Sequence, residues 1–242
     1  SSGAASSSGA SSSSETVSSD VSSSSGSADT ASAATAADTV NLAQGKGNDA
    51  FTLEMEGAGT DLDPATKDTT IREKEESILN RLTDGYYGSG EILDGNWNGS
   101  GMRSHYYEAY RAITLDLGQL SHIESLSFHM QEGLGWGISA PSMVTYFLSE
   151  DGVTFHRVGR VSRFDAVKDE DLDHYYSVVE NGKEVNCQSY YFTLDGLNYN
   201  ARYVKVAFEL TGTWAFADEL EVRGTAAPSD TAETLPDTPG TD

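Results

Sequence analysis

The chain predicts an all-β fold, an antiparallel β-sandwich or jelly roll, and two observations support this prediction. Polar residues alternate with apolar ones in several short runs: residues 113–117, 126–130, 144–148, 204–210 and 220–222. A period of two with β-branched and aromatic residues is typical of half-buried strands. Turn signals such as Glu150-Asp151-Gly152 separate the runs, and several strands at this spacing favour a sandwich.

Helical patterning is scarce, and it predicts one short helix between Thr69 and Leu82, where apolar residues share a face. Residues 164–188 are interpreted as an insertion between strands. Within it, Asn181-Gly182 is the signature of a two-residue hairpin turn. We therefore expect a small hairpin that projects from the sandwich.

Composition divides the chain into three parts. Residues 1–40 are almost entirely Ser, Ala, Gly, Thr and Asp, and residues 226–242 are mostly Thr, Pro, Asp, Ser and Ala. Such segments have too little apolar surface to offset the entropy of ordering them. We interpret both as disordered linkers around one folded domain, residues 41–225, which is expected to be a monomeric module of a larger protein.

The charge of the chain narrows the classes of partner. Its 38 acidic residues against 15 basic ones give a formal net charge of −23, which opposes binding to nucleic acid and to anionic membranes. No apolar run is long enough to predict a membrane span. Cys187 is the sole cysteine, so no internal disulfide forms. The Ser-rich and Thr-rich linkers favour an extracellular or bacterial cell-surface location.

Short motifs occur in a fixed order along residues 41–224. They are Asn41-Leu42-Ala43-Gln44-Gly45-Lys46, Leu82-Thr83-Asp84-Gly85, residues 112–118, residues 137–152, Arg202-Tyr203-Val204 and Glu219-Leu220-Glu221-Val222. Together they resemble the discoidin-like domains, also called coagulation-factor type C or galactose-binding-like domains. In bacteria that resemblance implies a non-catalytic carbohydrate-binding module, and the linkers resemble those of surface proteins from glycan-degrading gut Firmicutes.

The resemblance also implies a structural calcium ion beside the turn at residues 82–85. Asp84, Ser89 and Glu219 fall at the matching positions, and a hard cation is bound by carboxylate and backbone oxygens. Tyr86-Tyr87-Gly88 departs from the family, which more often has a small polar residue there. The alternative is that Asp84 caps a turn and Glu219 lies in a strand.

Residues 169–180 carry acidic side chains at positions that an EF-hand loop would use. His174 stands where the loop needs glycine, and a hairpin signature follows directly. A solvated acidic loop is the preferred interpretation.

Aromatic residues in glycine-rich loops are the candidate ligand-binding residues, because sugars present an apolar C–H face to a flat ring. The candidates are Trp97, Trp136, Tyr86 and Tyr87, with Asn96, Arg103 and His105 as polar partners. Loops on a rigid scaffold commonly carry function. The alternative for each is an ordinary loop residue, and Trp214 is expected to pack in the fold.

The sequence therefore predicts a module that binds a polysaccharide, with starch or another α-glucan as the expected ligand. Galactose-type and host glycans are alternatives, as is a cell-surface adhesion or scaffolding module that binds protein. An enzyme is disfavoured because no nucleophile or phosphate-binding motif is present. Asp218 and Glu219 are adjacent in a predicted strand, so they are expected to face opposite sides.

Overall fold

Ten β-strands make up most of the regular structure. The structure, a computed structural model, describes residues 38–56, 76–87, 110–133, 137–171, 176–180, 183–209, 211 and 215–237. The strands are β1 (Val40–Asn41), β2 (Phe51–Glu56), β3 (Tyr110–Glu132), β4 (Met143–Ser149), β5 (His156–Ser162), β6 (Val167–Lys168), β7 (Tyr176–Glu180), β8 (Lys183–Leu194), β9 (Tyr199–Glu209) and β10 (Phe216–Thr225). These strands pair antiparallel throughout, which confirms the all-β prediction.

β3 belongs to both layers of the sandwich. Its residues 110–116 pair with β2 and β9, and its residues 126–132 pair with β10 and β8. The first layer has the order β2-β3-β9-β4-β5, and the second has β1-β10-β3-β8, with β6 and β7 on β8. Gly118 lies between the two halves of β3 with φ of 84°. Because only glycine adopts this conformation freely, Gly118 allows the strand to pass from one layer to the other.

The core lies between the layers and contains the alternating apolar residues that the sequence pattern identified. They include Ile113, Leu115, Leu126, Phe128, Met130, Val144, Tyr146, Leu148, Val204, Val206, Phe208, Leu220 and Val222, all buried. The Phe128 and Phe208 ring centroids, from different layers, are 5.8 Å apart. The Tyr146 hydroxyl in β4 donates a hydrogen bond to the backbone carbonyl of Phe192 in β8, which also links the two layers.

The predicted hairpin is confirmed by the register of β7 and β8. Glu180 pairs with Lys183, which leaves the two residues Asn181 and Gly182 as the connection. Because β7 occupies residues 176–180, an EF-hand loop cannot extend over residues 169–180. Two short 3₁₀ helices lie at Asn48–Ala50 and Leu79–Thr83. The second overlaps the end of the predicted helix, whose residues 69–75 lie outside the described residues. No helix in the described ranges has the length and hydropathy to cross a membrane.

Residues 226–237, interpreted from composition as linker, lie against the sandwich and are named here the C-terminal strap. Asn200 exchanges two hydrogen bonds with Ser229, each 2.9 Å long. Glu233 forms a bridge with Tyr199, and Leu235 packs against the core. The polar composition conceals these contacts because most of them are made by backbone groups.

The sandwich has two ends, which we call the loop end and the terminal end. The loop end comprises Tyr110, Gly133, Ile138, Met143, Glu209 and Ala215. Tyr110 pairs with Glu209, and Thr211 Oγ1 donates to the carbonyl of Ala140 at 3.0 Å, so the segments after β9 and before β4 are in contact. The terminal end carries β1, the last residues of β10 and the C-terminal strap, which reaches β5 where the Pro236 carbonyl lies 2.7 Å from His156 Nδ1.

Gly224 in β10 should tolerate no side chain. The register of β10 and β3 shifts between Arg223 and Gly224, and a Cβ on Gly224 would lie 1.9 Å from the carbonyl oxygen of His122. We expect Gly224→Ala to lower the free energy of unfolding in urea by about 3 kcal/mol. Gly47→Ala is the control, because the Cβ there meets only the end of the flexible Asp49 side chain. Equal urea midpoints for the two variants would contradict this packing.

Candidate functional site

Asp84 and Glu219, expected at one calcium site, lie on either side of the turn at Gly85. Glu219 Oε2 accepts the backbone N–H of Gly85 at 3.2 Å, and Asp84 Oδ1 accepts that of Tyr86 at 2.8 Å. Gly85 has φ of 82°, a conformation that glycine adopts without strain. The turn thus directs successive N–H groups to the two carboxylates. Ser89, the third predicted ligand, lies outside the described residues.

Glu219 is a buried carboxyl with an unsatisfied oxygen. It is 1% exposed, and its Oε1 has no hydrogen-bond partner within the ranges that the structure describes. Burial raises the pKa of Glu219 to about 9, and the charges of Asp84 and Asp218 add to this against the hydrogen bond from Gly85. Burial also raises the pKa of Asp84. A nearby cation would favour the ionised forms of both groups.

Whether Asp84 and Glu219 could hold a metal ion depends on which ligands that metal accepts. Among the described residues, no group of three or more His, Cys, Asp or Glu side chains is arranged to hold an ion, which argues against a site built from side chains alone. Calcium accepts backbone carbonyl oxygens beside one or two carboxylates. The buried, unpartnered oxygen of Glu219 therefore fits calcium, with Asp84 as the second carboxylate.

A buried histidine lies between two aspartates on the outer face of the second layer. His129 Nδ1 is 2.6 Å from Asp218 Oδ1, and its Nε2 is 3.2 Å from Asp169 Oδ2. The three residues are 1%, 0% and 6% exposed, respectively. We call them the histidine cluster. It joins β3, β10 and the segment after β6, so it holds the base of the predicted insertion against the sandwich.

The charge of His129 balances its two neighbours. Burial by itself lowers the pKa of His129, but the hydrogen bonds to Asp169 and Asp218 outweigh burial and the pKa is raised. The two aspartates therefore favour the protonated imidazole. A buried charge remains stable only while its partners are present, and removing one partner leaves the others uncompensated.

Two tyrosines cover the histidine cluster. The rings of Tyr87 and Tyr191 lie with centroids 5.0 and 4.4 Å from that of His129. The Tyr87 hydroxyl donates to Glu221 Oε1 at 2.6 Å, and burial followed by this bond raises the pKa of Tyr87. Tyr87 is thus packed and hydrogen-bonded on its polar end. Tyr86 is 67% exposed, so of the two predicted ligand tyrosines it presents the freer ring.

The expectation that Asp218 and Glu219 face opposite sides is wrong. β10 is irregular between Ala217 and Glu219 in its pairing with β3, and Glu219 stands opposite His129. Asp218 bonds to the same histidine, so both carboxylates lie on the outer face. The extra residue of a β-bulge interrupts strand alternation, and no feature of the local sequence reveals it.

The segments that contain the tryptophans connect to the loop end. Trp97 belongs to the segment between Tyr87 and Tyr110, Trp136 stands between Gly133 and Gly137, and Trp214 stands between Thr211 and Ala215. These flanking positions belong to the described part of the chain, and all of them except Tyr87 belong to the strands and turns of the loop end. The predicted residues Trp97, Trp136, Asn96, Arg103 and His105 themselves lie outside the described residues, as does Trp214.

Sequence reasoning did not identify His129 or Phe164, and it considered Asp169 only as a position in an EF-hand loop. His129 lies at an outward position of an alternating strand, where an ordinary surface residue is expected. The sequence held one signal. His129 is a titratable residue on a predicted strand, and the strand near the end of the domain carries the consecutive acidic residues Asp218 and Glu219. Phe164, which is 98% exposed, lies at the start of the predicted insertion. It belongs to neither an alternating run nor a glycine-rich loop, so the sequence patterns did not select it.

Comparisons with known proteins give structural similarity alone. No family model matches the chain, and no curated protein matches it. The lectin domain of lectinolysin, complexed with Lewis B antigen, is 18% identical over 77% of this chain and 98% of its own, with a TM-score of 0.40. A Clostridium perfringens module, CpGH89CBM32-5, in complex with GalNAc-β-1,3-galactose, is 16% identical over 72% of this chain and 96% of its own, with a TM-score of 0.39.

A Streptococcus pneumoniae fucose-binding module is 16% identical over 76% of this chain and 94% of its own, with a TM-score of 0.37. The first two proteins were solved with a sugar bound, and the third is a fucose-binding module. At such identities and TM-scores, nothing follows from them for the ligand or the binding residues of this chain.

Replacing His129 should destabilise the domain strongly. In His129→Leu, Asp169 and Asp218 would remain buried without a cation, which should cost about 3–5 kcal/mol of unfolding free energy at pH 7. The measurement is urea unfolding followed by tryptophan fluorescence. His122→Leu is the control, because His122 bonds to Asn198 at a less buried position and should cost about 1 kcal/mol. A loss of the same size in both variants would show that the cluster does not stabilise the fold.

Proposed function

We propose that this domain is a non-catalytic carbohydrate-binding module that attaches a bacterial surface or secreted protein to a polysaccharide. The observation that supports this most is where the segments that contain Trp97 and Trp136 join the described sandwich. Tyr110, which follows the segment of Trp97, and Gly133, which precedes Trp136, both belong to the loop end. Aromatic rings and a few polar groups on loops suit the alternating apolar and hydroxyl surfaces of sugars.

Three buried carboxyl groups, those of Asp169, Asp218 and Glu219, are not placed for catalysis. A glycoside hydrolase needs two carboxyl groups that reach opposite sides of one bond. Asp218 and Asp169 are buried and bonded to His129, and Glu219 is buried against Gly85. This acidic group stabilises the fold and offers no open cleft between its members.

Starch or another α-glucan is the ligand that we propose for this end of the molecule. Tyr86, which is 67% exposed, and the predicted ligand residues Trp97 and Trp136 would suit the curved face of a helical α-glucan, where successive glucose rings are presented. Asn96, Arg103 and His105 would supply hydrogen bonds from the same loops. An adhesion module for protein is the alternative, and the experiment below separates the two.

Native gel electrophoresis tests this proposal. The domain, residues 38–237, is run through gels that contain amylopectin, glycogen, pullulan, xylan, galactan or mucin, beside a blank gel. We expect retardation by the α-glucans, and we expect Trp97→Ala and Trp136→Ala each to weaken it by about tenfold or more, as for buried aromatic contacts at other interfaces.

Val153→Ala is the control, because Val153 is 83% exposed in a turn at the terminal end. Retardation by galactan or mucin alone would support a carbohydrate-binding module whose ligand is not an α-glucan. Unchanged migration of the wild type in every gel would exclude polysaccharide binding and favour a protein partner.

We further propose that Asp84 and Glu219 hold a structural calcium ion, with Ser89 as a third ligand. The buried Glu219 oxygen without a partner supports this, because burial of an unpaired carboxylate is costly and a cation removes the cost. Calcium would connect the turn at Gly85 to β10 and so brace the fold. It would take no part in chemistry.

Thermal unfolding with and without calcium tests this site. Without metal, the stability that depends on protonated Glu219 is complete below about pH 4.5 and is lost as pH rises towards about 9. Calcium should therefore raise the melting temperature at pH 8, by about 5 °C at saturating concentrations, and have little effect at pH 5. Glu219→Gln should abolish the response, and Glu150→Gln, an exposed control, should retain it. An undiminished response in Glu219→Gln would place the ion elsewhere.

A further inference from the structure

Phe164 is the most exposed large apolar side chain in the described residues, at 98%, and it lies on a turn that is held firmly. The Ser162 carbonyl accepts the N–H groups of Asp165 and Ala166 at 3.0 and 2.9 Å. Ser162 Oγ donates to Asp165 Oδ2 at 2.6 Å. The backbone on both sides of Phe164 is therefore constrained while its ring remains in solvent.

Arg163 attaches this turn to the loop end. Its backbone N–H donates to the Ser142 carbonyl at 2.9 Å, and its guanidinium donates to Glu132 Oε1 at 3.1 Å. The same guanidinium lies 3.2 Å from the centre of the Tyr190 ring. The backbone at Phe164 is thus held in place, which lowers the conformational entropy that a ligand would have to overcome.

A groove of about 310 Å³ opens beside the turn, on the outer face of the first layer. It is lined by Tyr110, Ser142, Met143, Thr145, Arg160, Ala207, Phe208 and Glu209. Ser142, whose carbonyl receives the Arg163 N–H, is the point where the turn and the groove meet. The backbones of Arg160 and Glu209 pair with Thr145 and Tyr110. Their side chains have no hydrogen-bond or ion-pair partner among the described residues, so the side-chain polar atoms are available to a ligand.

We propose that Phe164 and this groove form a second sugar-binding site, which holds one neutral pyranose residue of the same polysaccharide. The inference rests on the proposed function. Three groove residues, Tyr110, Met143 and Glu209, belong to the loop end, whereas Arg160 lies on β5 and Phe164 on the turn that follows it. The Phe164 ring would contact the C–H face of the sugar, and Arg160 and Glu209 would bind its hydroxyls. Because these two side chains carry opposite charges at one groove, neither an acidic nor a basic ligand gains from both, which favours a neutral one.

A second site on the same domain has a measurable consequence. Two sites that engage one polymer chain bind it more tightly than either alone, because the second contact is intramolecular. Loss of Phe164 should therefore weaken retention by long polysaccharides and leave the domain otherwise unchanged.

The experiment measures affinity electrophoresis of residues 38–237 over a series of amylopectin concentrations, with glycogen, pullulan, xylan, galactan and mucin run in parallel. We expect Phe164→Ala and Arg160→Ala to raise the apparent dissociation constant by about three- to tenfold, the range for loss of one aromatic contact or one hydrogen bond. Phe164→Trp should preserve binding, because it keeps a flat ring. Phe164→Leu should behave as the alanine variant. Melting temperatures should stay at the wild-type value, because the Phe164 side chain contacts solvent.

Val153→Ala is the matched control for removal of an exposed apolar side chain at the opposite end, and it should leave retention unchanged. Wild-type affinity in Phe164→Ala would overturn the second site while the proposed function stands. Full binding by Phe164→Leu would show a general apolar contact and overturn the sugar-stacking role. A wild type that no polysaccharide retards would overturn the proposed function and, with it, this inference.

Discussion

The two layers share one strand, β3, which pairs with strands of both. The rest of the domain depends on this double pairing. Residues 110–116 have β2 and β9 on their edges, and residues 126–132 have β10 and β8. Each half is thereby held from both sides, which determines the direction of every side chain along it. Phe128 and Met130 enter the core as a result, and His129 is directed outward between β10 and β8, where it meets Asp218.

That outward position explains why charge is buried in a small domain. His129 has a neighbouring strand on each side, and Tyr87 and Tyr191 cover its ring, so water is excluded from it. A buried, dry position favours an uncharged residue unless neighbouring parts of the chain provide carboxylates to pair with the charge. Asp218 and Asp169 supply them. The cluster thus joins three separate parts of the chain, and it makes each of them depend on the other two.

The sequence predicted the features that depend on local periodicity and missed those that depend on contacts between distant residues. Alternation identified the core positions, such as Val204 and Val206, and Asn181-Gly182 predicted the hairpin. The bulge at Asp218 was missed because an inserted residue leaves the local composition unchanged. The C-terminal strap was missed because Ser229 and Glu233 look like linker until the partners Asn200 and Tyr199 are known.

The candidate site divides in the same way. The resemblance to a family predicted that Asp84 and Glu219 lie at one turn. The structure places both beside Gly85, with the carboxyl of Glu219 buried. Tyr87, chosen as a ligand-facing ring, has its hydroxyl committed to Glu221, since an aromatic residue in a loop can equally serve as a cover. Phe164 was not among the predicted residues, because solvent exposure of a single ring leaves no trace in composition.

The C-terminal strap also determines how the domain would respond to mechanical load. A pull applied at residue 237 acts first on Pro236 and Leu235, then on the bridge at Glu233, and only afterwards on the pair of hydrogen bonds between Ser229 and Asn200. Contacts loaded one after another give way at low force and lengthen the tether stepwise, before tension reaches β10. We expect force spectroscopy to show this extension ahead of the main rupture, so that the strap would cushion the sandwich against sudden tension.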